Sequence, residues 1–254
     1  GYSATTKDIV YLLNQEIDIS TINKKTKPLI FHNNISLKNI SFRYSNDTPW
    51  IIKDFNIEIK KGSKVGIIGK TGCGKSTLID IISGLLHANS GGVYVDNREL
   101  NSNLIKSWQK NISYVPQFIF LSDNTIERNI ALGNENNEIN KLKIKDSADN
   151  ALLTDFIESL PDKYETYIGE RGNRISGGQR QRLGLARSFY KDTSVIFLDE
   201  ATNALDENTE EQILENLFSK EDSRTIFFIT HKKNILDKFD IVLEFKNQNI
   251  TRVK

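Results

Sequence analysis

The run Gly69-Lys70-Thr71-Gly72-Cys73-Gly74-Lys75-Ser76 constrains this chain more than any other feature of its sequence. A short apolar run at residues 65–68 precedes it, and apolar residues at helical spacing fill residues 75–86 behind it. Gly69, Gly72 and Gly74 free the backbone to curl, so that successive N–H groups point inward at phosphate oxygens. The helix that follows adds its positive N-terminal end. Lys75 brings a point charge to the terminal phosphates, and the hydroxyl of Ser76, with Thr77 just behind it, stands where a Mg²⁺ ion is held. Thr71 and Cys73 fill variable places in the loop. A glycine-rich turn with no ligand is the bland alternative, and motif and context together argue against it. No histidine stands beside Cys73 in sequence to serve as a base, which argues against thiol chemistry there.

The rest of the chain supplies the sheet that such a loop requires. Residues 35–44 and 55–59 alternate apolar and polar, as half-buried strands do, and short strands are predicted at 93–95 and 112–115. Residues 195–198 and 226–229 are continuous apolar runs, the mark of central parallel strands. Helical spacing occurs at 125–132, 141–156, 207–218 and 232–238. Strands alternating with helices predict an α/β fold with a mainly parallel sheet. Residues 123–190 carry few strand signals and read as an inserted helical lobe.

Residues 8–17 read as a short amphipathic helix, and the polar stretch 20–27 as a linker closing at Pro28. The expected organisation is therefore a linker helix over 1–27 and one domain over 28–254. The chain contains no methionine and begins Gly1-Tyr2-Ser3, which predicts a piece of a longer protein. Lys plus Arg is 34 and Asp plus Glu is 33, a net charge of +1. That balance gives no electrostatic case for nucleic acid or an anionic membrane surface. One cysteine precludes an internal disulfide and suits a reducing compartment. No run reaches the roughly 18 consecutive apolar residues of a membrane span.

Val195-Ile196-Phe197-Leu198-Asp199-Glu200 is an apolar strand that ends in two acids. Such a strand delivers Asp199 to the carboxyl edge of the sheet, where the phosphate loop also lies. Asp199 is then the partner of Mg²⁺. Glu200, one residue further on, is placed to act as a base for attacking water, a contribution of about 10²–10⁴ in rate. An acidic pair after a strand is by itself a solvated turn; the loop upstream changes that reading.

Ile175-Ser176-Gly177-Gly178-Gln179 resembles the signature motif of ATP-binding cassette (ABC) ATPases, with Ile175 where the family usually has Leu. Gln179-Arg180-Gln181-Arg182 and Ala186-Arg187 continue in the family style. The order of motifs is similar throughout: Tyr44 as the aromatic loop, the phosphate loop, Gln117 as the Q-loop glutamine, the signature, Asp199 and Glu200, Ala204-Leu205-Asp206 as the D-loop, and His231 as the switch histidine. Asn203 stands where the D-loop usually opens with Ser.

The resemblance implies a P-loop NTPase core with a mainly parallel sheet, an antiparallel β subdomain and an inserted α-helical subdomain. It implies ATP and Mg²⁺ as cofactors and a head-to-tail dimer, with ATP on one copy's phosphate loop closed over by the other copy's signature. Tyr44 would stack on adenine. Ser76, Gln117 and Asp199 would serve the metal, and Lys75, Gln117, Glu200 and His231 the hydrolysis. Ser176, Gly177, Gly178 and Gln179, in the signature, would join the nucleotide site from across the dimer, and Asp206 would also contribute to nucleotide binding. Ser176 is suited to cap the helix behind it, and the two glycines let bare N–H groups approach phosphate.

Gly169-Glu170-Arg171-Gly172 and Thr125-Ile126-Glu127-Arg128-Asn129-Ile130 resemble exporter sequences, and residues 8–15 resemble the tail that joins a membrane domain to its ATPase. The expectation is the ATPase part of an exporter half-transporter, with a transmembrane domain upstream, at the cytoplasmic face of a bacterial inner membrane. General similarity points to a lipid-linked oligosaccharide flippase; peptide, lipid and multidrug exporters are the alternatives. His32 and His87 match no motif, and Trp50 and Trp108 read as packing residues. The signature and His231 argue against a P-loop kinase or GTPase, and the presence of Glu200 argues against an inactive cassette.

Overall fold

The computed structural model describes residues 27–134, 138–169, 172–219, 223–246 and 249–254. The chain opens with strands β1 (Asn34–Phe42), β2 (Ile52–Lys60) and β3 (Lys64–Gly69), then helix α1 (Lys75–Ile82), β4 (Ser90–Val95), β5 (Arg98–Glu99), α2 (Ser102–Gln109) and β6 (Ile112–Val115). Helices α3 (Ile126–Ile130), α4 (Lys141–Asn150), α5 (Thr154–Glu158) and α6 (Gly177–Lys191) follow. The C-terminal part holds β7 (Val195–Asp199), α7 (Glu207–Leu217), β8 (Thr225–Ile229), β9 (Ile241–Lys246) and β10 (Asn249–Arg252). The expected helix at 8–17 lies outside the described residues.

Two sheets result. One is antiparallel, in the order β2-β1-β4-β5. The other has the order β10-β9-β3-β8-β7-β6, parallel from β9 to β6, with β10 antiparallel at its edge. Side chains on the parallel strands point alternately to two cores. Val195, Phe197, Phe227 and Ile229 pack with Leu78, Ile79, Ile81 and Ile82 of α1. Ile196, Leu198, Ile226 and Phe228 pack with Leu183, Leu185 and Ala186 of α6 and with Ile213, Leu214 and Leu217 of α7. Burial on both faces is why these strands read as unbroken apolar runs rather than alternating ones.

Several predicted helices are shorter in the structure. The expected helix 141–156 divides into α4 and α5, because Leu152 takes a left-handed φ of 55°. Residues 232–238 form only a 3₁₀ turn, Leu236–Lys238. The run 75–86 ends its helix at Ile82, and Gly84, at φ 74°, carries the chain out of it. No helix among the described residues is long and apolar enough to cross a membrane.

Trp108 ties α2 to the core. It is fully buried, its indole N–H donates to Ile82 O at 2.9 Å, and Phe31 meets it edge-on at 5.7 Å. Trp108→Ala is expected to cost about 3–5 kcal/mol, as loss of a large buried aromatic does, measured by urea unfolding.

Candidate nucleotide site

The phosphate loop leaves the carboxyl end of β3, between β8 and β9. Gly74 has φ 109°, and a Cβ there would lie 2.3 Å from Ile51 Cγ2, so the loop's path requires a bare backbone at this point. Gly74 is also the N-cap of α1 and makes no side-chain cap hydrogen bond. The first N–H groups of α1 are thus without a capping side chain, the usual condition of an anion site at a helix N-terminus. The Lys75 side chain is buried, and its ammonium donates to Gly69 O at 2.9 Å and Lys70 O at 3.0 Å. A buried ammonium folded over its own loop, beside an uncapped helix end, fits a polyphosphate.

At the mouth of the loop Ser76 Oγ donates to Asp199 Oδ2 at 2.8 Å. Tyr114 OH donates to the same oxygen at 3.2 Å. Asp80 stands one turn after Ser76 on α1; burial, then the charge of Asp199, raises its carboxyl above the usual carboxylate range. Burial and the negative charges of Asp199 and Asp80 hold the Tyr114 hydroxyl well above the ordinary phenol range, so it remains a donor. Among the described residues no group of three or more His, Cys, Asp and Glu could hold a metal. Mg²⁺ does not need such a cage: it is commonly bound through one or two protein oxygens together with phosphates and waters. Ser76 and Asp199 fit that pattern.

Glu200 follows β7 directly, at φ 52°. Three donors converge on its carboxylate: Gln117 Nε2 at 3.0 Å and Asn203 Nδ2 at 2.7 Å reach Oε2, and His231 Nε2 lies 2.8 Å from Oε1. The structure thus brings together three residues that the sequence singled out as hydrolytic, Gln117, Glu200 and His231. It adds Asn203, visible in the sequence only as a departure from a motif. Gln117 reaches Glu200 here, not the Ser76–Asp199 pair.

Tyr44 stands at the far end of the loop. The residue is 63% exposed, Phe42 meets its ring edge-on at 5.0 Å, and its hydroxyl lies 3.1 Å from Thr77 Oγ1. An anchored aromatic with an open face is what base stacking asks for. On the other side of the loop lies a cavity of about 430 Å³, lined by Lys70, Cys73, His231 and Phe245 among others. Gly72, at φ 77°, faces open space, and Thr71 is exposed beside it.

Ser176 caps α6: Gln179 N donates to Ser176 Oγ at 3.2 Å, and Ser176 N to Gln179 Oε1 at 2.8 Å. Gly177 and Gly178 open the helix, and a Cβ on Gly178 would lie 3.1 Å from Ala204 O. The Gln181 side chain accepts from Ala204 N at 2.8 Å, joining α6 to the segment after Glu200. Asp206 caps α7 through Thr209 N at 3.0 Å and Thr209 Oγ1 at 2.7 Å, bonds that pull its carboxyl below the usual range. The hydrogen bonds that fix Ser176, Gln179 and Asp206 are local, and none of them reaches the phosphate loop.

A phosphate loop at the end of a central parallel strand, faced by an acidic strand end, defines a P-loop nucleoside triphosphatase of α/β fold. Residues 52–203 match the family model described as ABC transporter, and the chain belongs to that family. It is 35% identical over 221 residues to the mitochondrial iron-sulfur clusters transporter ATM1 of Chaetomium globosum, covering 86% of this chain and 36% of that protein. It is 36% identical over 216 residues to the ATP-dependent lipid A-core flippase of Saccharophagus degradans, covering 85% of this chain and 36% of that one. A solved bacterial Atm1-family ABC exporter with ATP bound matches at TM-score 0.85 and 28% identity, over 97% of this chain and 42% of that chain. The chain therefore spans roughly a third of the length of these curated relatives. It is an ATP-binding ATPase domain of that family.

Proposed function

We propose that this chain hydrolyses ATP with Mg²⁺ at a site completed by a second, head-to-tail copy, and that hydrolysis powers export or flipping of a substrate by a membrane domain upstream in the same polypeptide. The observation that carries the reading is the convergence of Gln117, Asn203 and His231 on Glu200 at the same sheet edge as the Ser76–Asp199 pair and the Lys75 loop.

Each residue has a stated task. The ammonium of Lys75 exchanges two carbonyls for phosphate oxygens, a charge-assisted contact stronger than the one it leaves. Ser76 and Asp199 hold the metal, and Gln117, bonded to Glu200, serves the metal or the attacking water. When bound, Mg²⁺ draws charge from the phosphate oxygens. Glu200 takes the proton of the attacking water, and His231 holds that carboxylate in place. Tyr44 takes adenine on its open face, and Gly69, Thr71, Gly72, Cys73, Gly74 and Thr77 form the cradle. Ser176, Gly177, Gly178, Gln179 and Asp206 serve the partner copy's nucleotide. What supports the shared site is that Ser176, Gln179 and Asp206 are bonded locally, while Gly177 and Gly178 leave the start of α6 without side chains.

Residues 1–27 are read as the linker helix and 28–254 as the nucleotide-binding domain, with the helical subdomain near 123–190. The membrane is taken as a bacterial inner membrane, with this domain at its cytoplasmic face, and nucleic acid is not a partner on a net charge of +1. The cargo is taken as a lipid-linked oligosaccharide, with peptide, lipid and multidrug export as the second reading. A β-(1→2)glucan export protein of Rhizobium johnstonii, 35% identical over 209 residues, and the lipid A-core flippase carry glucan and lipid cargo in their names, in keeping with the first reading and equally with the lipid branch of the second.

A mixing experiment tests the shared site. Lys75→Ala breaks a copy's own loop, and Ser176→Arg breaks what it offers its partner. Each variant alone is expected to be inactive. Equal mixing is expected to restore about a quarter of wild-type phosphate release, since half the two-fold dimers are mixed and each holds one intact site. No recovery, alongside an active wild type, would remove the head-to-tail arrangement; an inactive wild type would remove the reading as a whole.

A further inference from the structure

Asp199 is held from two sides, and only one of the two holders belongs to a recognised motif. Ser76 Oγ donates to Oδ2 at 2.8 Å from α1, and Tyr114 OH donates to the same oxygen at 3.2 Å from β6. The register explains how Tyr114 gets there. It pairs with Phe197 across β6 and β7, and Leu198, one before Asp199, pairs with Val115. Phe197 belongs to the core cluster that contains α1. Side chains two apart on a strand share a face, so Asp199 lies on that face too, with Tyr114 beside it. Ser76 and Asp80, one helical turn apart on α1, meet the same place from above.

We propose that Tyr114 is a positioning residue for the metal: by donating to Oδ2 together with Ser76, it fixes the rotation of the Asp199 carboxylate and leaves Oδ1 for the metal's shell. The inference rests on the reading of Asp199 as the residue that holds Mg²⁺. Two physical facts favour it. First, β6 is the outermost strand at this end of its sheet, so the approach to Asp199 from that side would otherwise be open to water. Tyr114 stands there, 40% exposed, while Asp199 is 9% exposed. Second, Asp80 stands one helical turn after Ser76, the residue that bonds Asp199, and the charge of Asp199 acts on it. Repulsion between the two acids would turn a loosely held Asp199 away. A second donor on one oxygen resists that rotation. Groups that orient a metal's ligands commonly govern metal affinity as strongly as some ligands do.

The test uses the whole 254-residue chain as Tyr114→Phe, which keeps the ring and removes the donor. With the chain in excess over a non-hydrolysable ATP analogue, Mn²⁺ is titrated in and free Mn²⁺ is read by electron paramagnetic resonance. Mn²⁺ affinity of the variant is expected to fall about tenfold, the low end for loss of an outer partner. Analogue affinity measured in EDTA is expected to stay at the wild-type value. Asp199→Asn serves as the control and should lose the metal site. Wild-type Mn²⁺ affinity in Tyr114→Phe, with the site lost in Asp199→Asn, would overturn the role of Tyr114 and leave the site intact. Equal weakening with and without metal would also overturn it, since Tyr114 would then shape the pocket as a whole. If Asp199→Asn retained the metal, the reading of Asp199 would fail, and the role of Tyr114 with it.

Discussion

Lys75→Ala is expected to bring Mg²⁺-dependent ATP hydrolysis down to background, a fall of at least about 10²–10³, the effect of removing one donor aimed at developing negative charge. The size follows from where the ammonium sits. It is buried, so its field is not diluted by water, and it already lies over the loop, bound to Gly69 O and Lys70 O. When phosphate arrives, the ammonium need only exchange those two carbonyls for phosphate oxygens. Lys75→Arg should not restore activity. A planar guanidinium cannot replace a compact point charge inside a loop whose course is fixed by Gly74 at φ 109° against Ile51. The fold should survive, because among the described residues the Lys75 ammonium bonds to backbone of its own loop; an unchanged urea midpoint would show this. Phosphate release by Lys75→Ala at the wild-type rate would end the reading of this loop as the hydrolytic site.

How much of this was legible in the sequence depends on how the chain brings each group to the site. The phosphate loop was legible because its chemistry needs contiguous residues with particular backbone angles, and such residues leave a contiguous pattern. Gln117, Glu200 and His231 are far apart in the chain, but each follows closely on a strand: β6, β7 and β8 are parallel neighbours, so whatever follows them meets at one edge. Once the strands were placed, the meeting was determined. Tyr114, Asp80 and Asn203 were not legible. Tyr114 reads as an ordinary strand aromatic, and only the register with Phe197 shows that it flanks Asp199. Asp80 breaks the apolar pattern of α1 with no visible reason until Asp199 is seen opposite. β9 was missed because one face of it is buried throughout and the other only at its start, giving neither clean alternation nor a continuous apolar run. The break at Leu152 turned on one left-handed residue that carries no glycine to announce it.

Glu200→Gln is expected to keep ATP binding, lose hydrolysis by about 10²–10⁴, and accumulate as a two-copy complex in ATP and Mg²⁺. Glutamine has the shape of glutamate, and the surroundings of Glu200 can accept it. The amide oxygen can take the place of Oε2, which receives Gln117 Nε2 and Asn203 Nδ2, while the amide NH₂ takes the place of Oε1 and donates to His231 Nε2 in the neutral tautomer that leaves that nitrogen free. The cluster is preserved and only the proton acceptor is lost. If the proposed second copy closes over uncleaved ATP, the closed form no longer has an exit by hydrolysis, and mass action favours it in proportion to the nucleotide present. Light scattering coupled to size separation should therefore show twice the chain mass with ATP and Mg²⁺, and the single-chain mass with EDTA. A variant that hydrolyses at the wild-type rate would take the proton-accepting role from Glu200. One that binds ATP, fails to cleave it and stays at single-chain mass would instead place the whole hydrolytic site within one copy, leaving the glycine-bare start of α6 as a helix cap and nothing more.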